Sequence, residues 1–137
     1  AGTKYNQSGI MCAGIGTLAD SLFAVKRLVF EEKRCTLPEL AAVLRSDWAG
    51  HEELRLYAKM RLPKWGNNLE GPDGLARRVT DFAAELITRA PNGKNGTFQM
   101  GLWSIDNNRL FGKKTGALPD GSRAGEEKEL SKDVVSA

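Results

Sequence analysis

Between Gly9 and Leu28 the chain changes from an apolar, glycine-rich run to an amphipathic repeat. The run at residues 10–15 has the composition of a buried strand. Gly14, Gly16 and Thr17 predict a tight turn after it. Leu18, Leu22, Val25 and Leu28 or Val29 then recur at the spacing of one helix face. Thr17 is the expected N-cap of that helix. Asp20 is placed to favour the positive end of its dipole. Thr36-Leu-Pro-Glu39 predicts a second helix start, with a capping box and a proline in the first turn, and Leu37, Leu40, Ala41 and Leu44 facing inward. A third helix is expected from His51 to Met60, with Leu54, Tyr57 and Met60 inward. Pro63 ends it.

The segment Pro63-Lys-Trp-Gly-Asn-Asn68 is turn-rich. Pro72 and Asp73 open the most regular helix, in which Leu75, Val79, Phe82 and Leu86 form the expected buried stripe. That helix breaks at Pro91. Residues 97–105, TFQMGLWSI, have strand composition, and Gly101 inside them suggests close packing or a bulge. Leu110-Phe111 reads as a short strand. Pro119-Asp-Gly121 reads as a turn in a long loop. The elements predict a mixed α/β chain, mostly helical, with strands at 10–15 and 98–105.

Composition narrows the classes little. The chain has 137 residues, 41% hydrophobic and 27% charged, with a net charge of +3. That is enough for one core, and the bases are too scattered to predict a nucleic-acid partner. No apolar run approaches the ~20 residues of a membrane helix. One histidine, His51, and two separated cysteines, Cys12 and Cys35, argue against a zinc site and for two free thiols. Glu31 to Arg34 reads as a solvated charge run. Gly14-x-Gly16-x-x-Ala19 resembles a dinucleotide turn, but Lys33 and Arg34 stand where the acid should follow. Tight packing at the turn is the better reading. Asn6-Gln-Ser8 and Asn95-Gly-Thr97 match the glycosylation pattern by chance.

The order of several phrases says more than any one of them. They are N-x-x-GI-x-x-x-GIGT-x-ADSL-x-A-x-K-x-LVF (Asn6 to Phe30), PKWGNN (Pro63 to Asn68) with D-x-LA-x-x-V (Asp73 to Val79), FGKKTGALPDGSRAGE (Phe111 to Glu126), and LSKDV (Leu130 to Val134). In this order and spacing they resemble the glycyl radical enzymes of the pyruvate formate-lyase family. One departure is visible. The family pattern is Pro-Asp-Gly-Arg, whereas Ser122 precedes Arg123 here, so a role for arginine at that loop is shifted or lost.

The resemblance implies a ten-stranded α/β barrel, of which residues 1–137 would be a single partial domain, an internal segment. It implies a lyase, similar to formate C-acetyltransferase, that breaks C–C or C–heteroatom bonds by hydrogen abstraction with a thiyl radical. The glycyl radical would be installed by a radical SAM activating enzyme, in anaerobic metabolism and in the cytoplasm. The implied partners are the remainder of the parent chain, that activating enzyme and further copies in a homo-oligomer, with no nucleic acid and no membrane. The Gly-Cys thiyl loop and the Arg-Val-x-Gly-Tyr radical loop are not among these residues. No residue of this chain therefore inherits a catalytic, cofactor-binding or metal role. Ser104, Asp106 and Asn107, polar groups directly after an apolar strand, are the candidate substrate-binding residues. The competing reading is a non-catalytic remnant or interaction module that retains the family scaffold.

Overall fold

The computed structural model describes residues 4–103 and 108–126. The chain runs β1 (Ser8–Cys12), α1 (Ile15–Val25), a π-helical turn (Lys26–Glu31), α2 (Leu37–Arg45), α3 (Glu52–Met60), α4 (Glu70–Arg89), β2 (Phe98–Leu102) and α5 (Asn108–Lys114). It is a mostly helical α/β unit. β1 and β2 pair in parallel, with Ser8 opposite Phe98 and Cys12 opposite Leu102. The two strand regions are therefore neighbours in space. Gly101 lies opposite Met11, and a methyl group at Gly101 would come within 2.8 Å of the Met11 sulfur. Of the two readings of Gly101, close packing is the one that holds, for the pairing runs through it without a bulge.

The α1 boundary differs from expectation. Thr17 is not the cap. Gly14 is, with φ +87° in the left-handed region, and the helix begins at Ile15 without a side-chain cap. Only glycine takes that φ at little cost, so the reversal from strand to helix happens before Thr17 is reached.

The buried face of α1 is also rotated. Leu18 and Leu22 are exposed, whereas Gly16, Ala19, Ser21, Phe23 and Ala24 are buried. Small side chains let α1 approach α4 closely, and Phe23 lies over Gly71, where a methyl group would stand 2.6 Å from the ring. The π-helical turn adds a residue to the repeat and sends Leu28 into the core, fully buried.

Thr36 and Glu39 form the expected capping box. The Glu39 N–H donates to the Thr36 hydroxyl, and the Glu39 carboxylate accepts the Thr36 N–H at 2.7 Å. The core gathers Ala24, Leu28, Leu40, Val43, Trp48, Ala58 and Leu62. Trp48 is 1% exposed, at a turn where Asp47 and Trp48 both take positive φ. Its indole N–H donates to the Ser122 carbonyl at 3.2 Å.

Three further expectations fail. Met60 is 72% exposed, because the helix α3 buries Ala58 instead. On α4 the stripe stops halfway, for Phe82 and Leu86 are 62% and 54% exposed and no described element covers them. Leu110-Phe111 lies in α5, not in a strand; an isolated pair of apolar residues does not distinguish the two. The turn at Pro119–Gly121 forms as expected, with the Gly121 N–H donating to the Leu118 carbonyl at 3.1 Å.

Candidate functional site

Because β1 and β2 are parallel, their C-terminal ends share one edge. The Trp103 N–H donates to the Cys12 carbonyl at 2.9 Å, which carries the pairing one residue beyond β2. Gly14 then turns the chain into α1 beside it. In sheets of parallel strands the crevice at the carboxyl ends is where ligands bind. Leu102 and Trp103 are exposed at this edge, and Cys12 is a half-buried free thiol. Ser104, Asp106 and Asn107, the candidate substrate residues, lie outside the described residues. Only the strand that precedes them is placed.

Two carboxylates lock the helices behind this edge. Asp20 on α1 accepts the Trp65 N–H at 2.7 Å, and Asp73 on α4 accepts the Gly66 and Leu69 N–H groups, each at 2.8 Å. Successive amides of one loop thus bind side chains from two helices. Lys64 adds a third tie, donating to the Ala58 and Asp120 carbonyls at 2.9 and 3.2 Å. Sequence reasoning assigned Asp20 to the dipole of its own helix and missed this clamp. Its signal was the turn-rich phrase at 63–68, whose free amides need acceptors.

Two further polar clusters surround α3. Glu32 receives Arg27 at 2.5 Å, Arg34 at 2.7 Å and the Tyr57 hydroxyl at 2.8 Å, while the Arg34 guanidinium stacks 3.6 Å from the Tyr57 ring centre. The presumed solvated run at 31–34 is therefore a network that joins the π-helical turn to α3. The Arg34 hydrogen bond, with those of Tyr57 and Arg27, outweighs burial and holds the Glu32 carboxyl down at about 2. Glu52 is held at about 2 as well, first by Arg55 and then by Arg123. Arg123 donates to Glu52 at 2.7 Å and to the Asp47 carbonyl at 3.0 Å, so the arginine after Ser122 anchors its loop to α3. Arg55 grips the same loop through the Gly121 carbonyl at 3.1 Å, and Lys59 pairs with Glu126 at 2.6 Å.

Carboxylates held near 2 are too weak to serve as general bases near neutral pH. These clusters therefore stabilise the scaffold. Both groups lie below their unfolded value of 4.5, so the stability they contribute is complete above that value and lost as pH falls toward about 2. Acid unfolding followed by far-UV circular dichroism is expected to show stability falling across this window. In Tyr57→Phe, which takes one donor from Glu32, the loss is expected to be smaller and to be complete at higher pH.

The pyruvate formate lyase-like family model matches residues 1–112. The chain belongs to that family. Among curated proteins it is 32% identical over 123 residues to (2S)-3-sulfopropanediol dehydratase of Klebsiella oxytoca, covering 89% of this chain and 15% of that one. Among solved structures it resembles the B12-independent glycerol dehydratase of Clostridium butyricum in its glycerol-bound form, with TM-score 0.83 and 38% identity. It also resembles a glycyl radical enzyme of Archaeoglobus fulgidus, with TM-score 0.82 and 30% identity. These matches cover 90% and 91% of this chain but 16% of each of the others. The family member described here thus spans about a sixth of the relatives' length. The family match extends across both strands and the helices between them. No helix among the described residues is long and apolar enough to cross a membrane.

Proposed function

We propose that this chain supplies two neighbouring strands and their supporting helices to a glycyl radical lyase that removes water from a small hydroxylated substrate. The observation that carries the reading is the parallel β1–β2 pair, set in a helical frame that superposes on the glycerol dehydratase with TM-score 0.83. The names of the relatives favour dehydration over acyl transfer from a formate C-acetyltransferase-like enzyme. In this proposal the two strands belong to a ten-stranded barrel in an anaerobic, cytoplasmic homo-oligomer.

The thiyl cysteine and the radical glycine, the latter activated by a radical SAM enzyme, reside in the remainder of the parent chain. Cys12 lacks the Gly-Cys context of the thiyl loop, and Cys35 sits beyond the π-helical turn, its thiol pushed up by burial. What these residues do is hold the strand ends. Gly14 turns β1 into α1, the Asp20 and Asp73 clamp fixes α1 against α4, and β2 is the strand that precedes Ser104, Asp106 and Asn107 in sequence, the residues assigned to the substrate in this proposal. The exposed Phe82 and Leu86 stripe on α4 would be covered by neighbouring parts of the parent enzyme.

The test is anaerobic incubation with a radical SAM activating enzyme. The 137-residue chain is expected to show no glycyl doublet by electron paramagnetic resonance and no turnover. The longer polypeptide that contains it is expected to show the doublet and to dehydrate glycerol or 1,2-propanediol. A doublet from the 137 residues alone, or a longer polypeptide that gives neither signal nor product, would overturn the assignment.

A further inference from the structure

The loop between α4 and β2 contains two asparagine–glycine pairs, Asn92-Gly93 and Asn95-Gly96. Such pairs are chemically weak, because a glycine has no side chain to shield its amide nitrogen from the preceding carboxamide. The fold treats the two pairs differently.

Asn92 is held at both ends of its carboxamide. Its oxygen accepts the N–H groups of Lys94 at 2.9 Å and Gly96 at 3.1 Å. Its nitrogen donates to the Asn6 carbonyl at 2.7 Å and to the Ser8 hydroxyl at 3.2 Å. Turning its carbonyl carbon toward the Gly93 nitrogen would break all four bonds. Asn95 is exposed, sits at φ +59°, and its carboxamide makes no hydrogen bond among the described residues. Its electrophile is free. Only the nucleophile is restrained, since the Gly96 N–H is engaged by the Asn92 oxygen.

We propose that Asn95 is a site of spontaneous deamidation whose rate is set by Asn92. In this reaction the Gly96 nitrogen gives its proton to solvent base and bonds to Cγ of Asn95. The Cγ–Nδ2 bond breaks and ammonia leaves with a proton. Water then opens the cyclic imide on one side or the other, giving aspartate or isoaspartate. Water is the only co-reactant, and nothing is oxidised or reduced. The product carries a new negative charge beside Lys94. The isoaspartate form also lengthens the main chain by one methylene, within the loop that Asn92 ties to Asn6 and Ser8 at the start of β1. Ageing of one loop residue thereby loosens the first strand.

The test is prolonged incubation of the full chain in mildly alkaline buffer, with site-resolved mass spectrometry. In the folded protein Asn95 is expected to convert while Asn92 stays intact, and in urea both are expected to convert at similar rates. Asn92→Ala is expected to speed Asn95 roughly tenfold, the factor in rate that loss of a hydrogen bond of ordinary strength corresponds to. Should Asn92→Ala fail to fold, native hydrogen exchange on the unmodified protein decides, with the Gly96 amide expected to exchange more slowly than that of Gly93. The proposal is overturned if Asn92 converts as fast as Asn95 in the folded chain, if folded Asn92→Ala leaves Asn95 unchanged, or if the two amides exchange alike. None of these outcomes depends on radical chemistry.

Discussion

Trp48→Ala is expected to cost ~3–5 kcal/mol, the range for removing a fully buried aromatic side chain. The indole is the largest fully buried side chain among the described residues and belongs to the cluster of Ala24, Leu28, Leu40, Val43, Ala58 and Leu62. Its loss also removes the N–H that holds the Ser122 carbonyl. The segment from Leu118 to Glu126 then keeps its ties to Asp47, Glu52, Arg55 and Lys59 but loses its hydrogen bond to the core tryptophan. A drop in melting temperature of roughly 10–15 °C is expected from calorimetry. Hydrogen exchange should increase in the amides of Gly121, Ala124 and Gly125, and β1 should remain protected. An unchanged melting temperature would mean that the indole is not the centre of the core.

Gly96→Ala is expected to have the second largest effect, about 3 kcal/mol or more, because the added methyl group meets main chain that cannot turn away. It would lie 1.7 Å from the Asn6 carbonyl oxygen. Relief requires residues 6–8 to separate from the loop before β2, which breaks the Asn92 ties and the Ser8 N–H bond to the Thr97 carbonyl at 3.3 Å. Among the described residues β2 is the only strand that pairs with β1. The expected result is loss of exchange protection from Gly9 to Cys12 with α2 and α3 still folded. Intact β1 protection in this variant would show that the chain can shift around the methyl group without losing the pairing.

Signals local in sequence were readable. The capping box at Thr36 and Glu39 lies within four residues and needs nothing from the rest of the chain, and Pro91 ends α4 for the same reason. What depended on distant partners was not readable. Leu18 and Leu22 outrank Ala19 and Ala24 in apolar area, yet α1 buries the smaller side because Phe23 must sit on Gly71. Glu32 looked solvated until Tyr57, on another helix, supplied a hydroxyl. Asp20 pointed to its own helix in sequence and to the Trp65 amide in space. The strand before the candidate site was legible from its composition and from Gly101. The clamp behind it was not, because a carboxylate that accepts main-chain amides leaves no periodic trace.

The pairing of Ser8 with Phe98 has a consequence during synthesis. The first strand leaves the ribosome long before its partner exists, and at ordinary elongation rates it waits roughly 5–20 s. Over that interval Ile10 and Met11 lack the strand they pair with, while α2 and α3, close together in sequence, can already pack. Nascent copies are thus most prone to sticking to one another at this first strand, and a chaperone that shields residues 8–12 until residues 98–102 emerge would raise the yield more than one that acts after release.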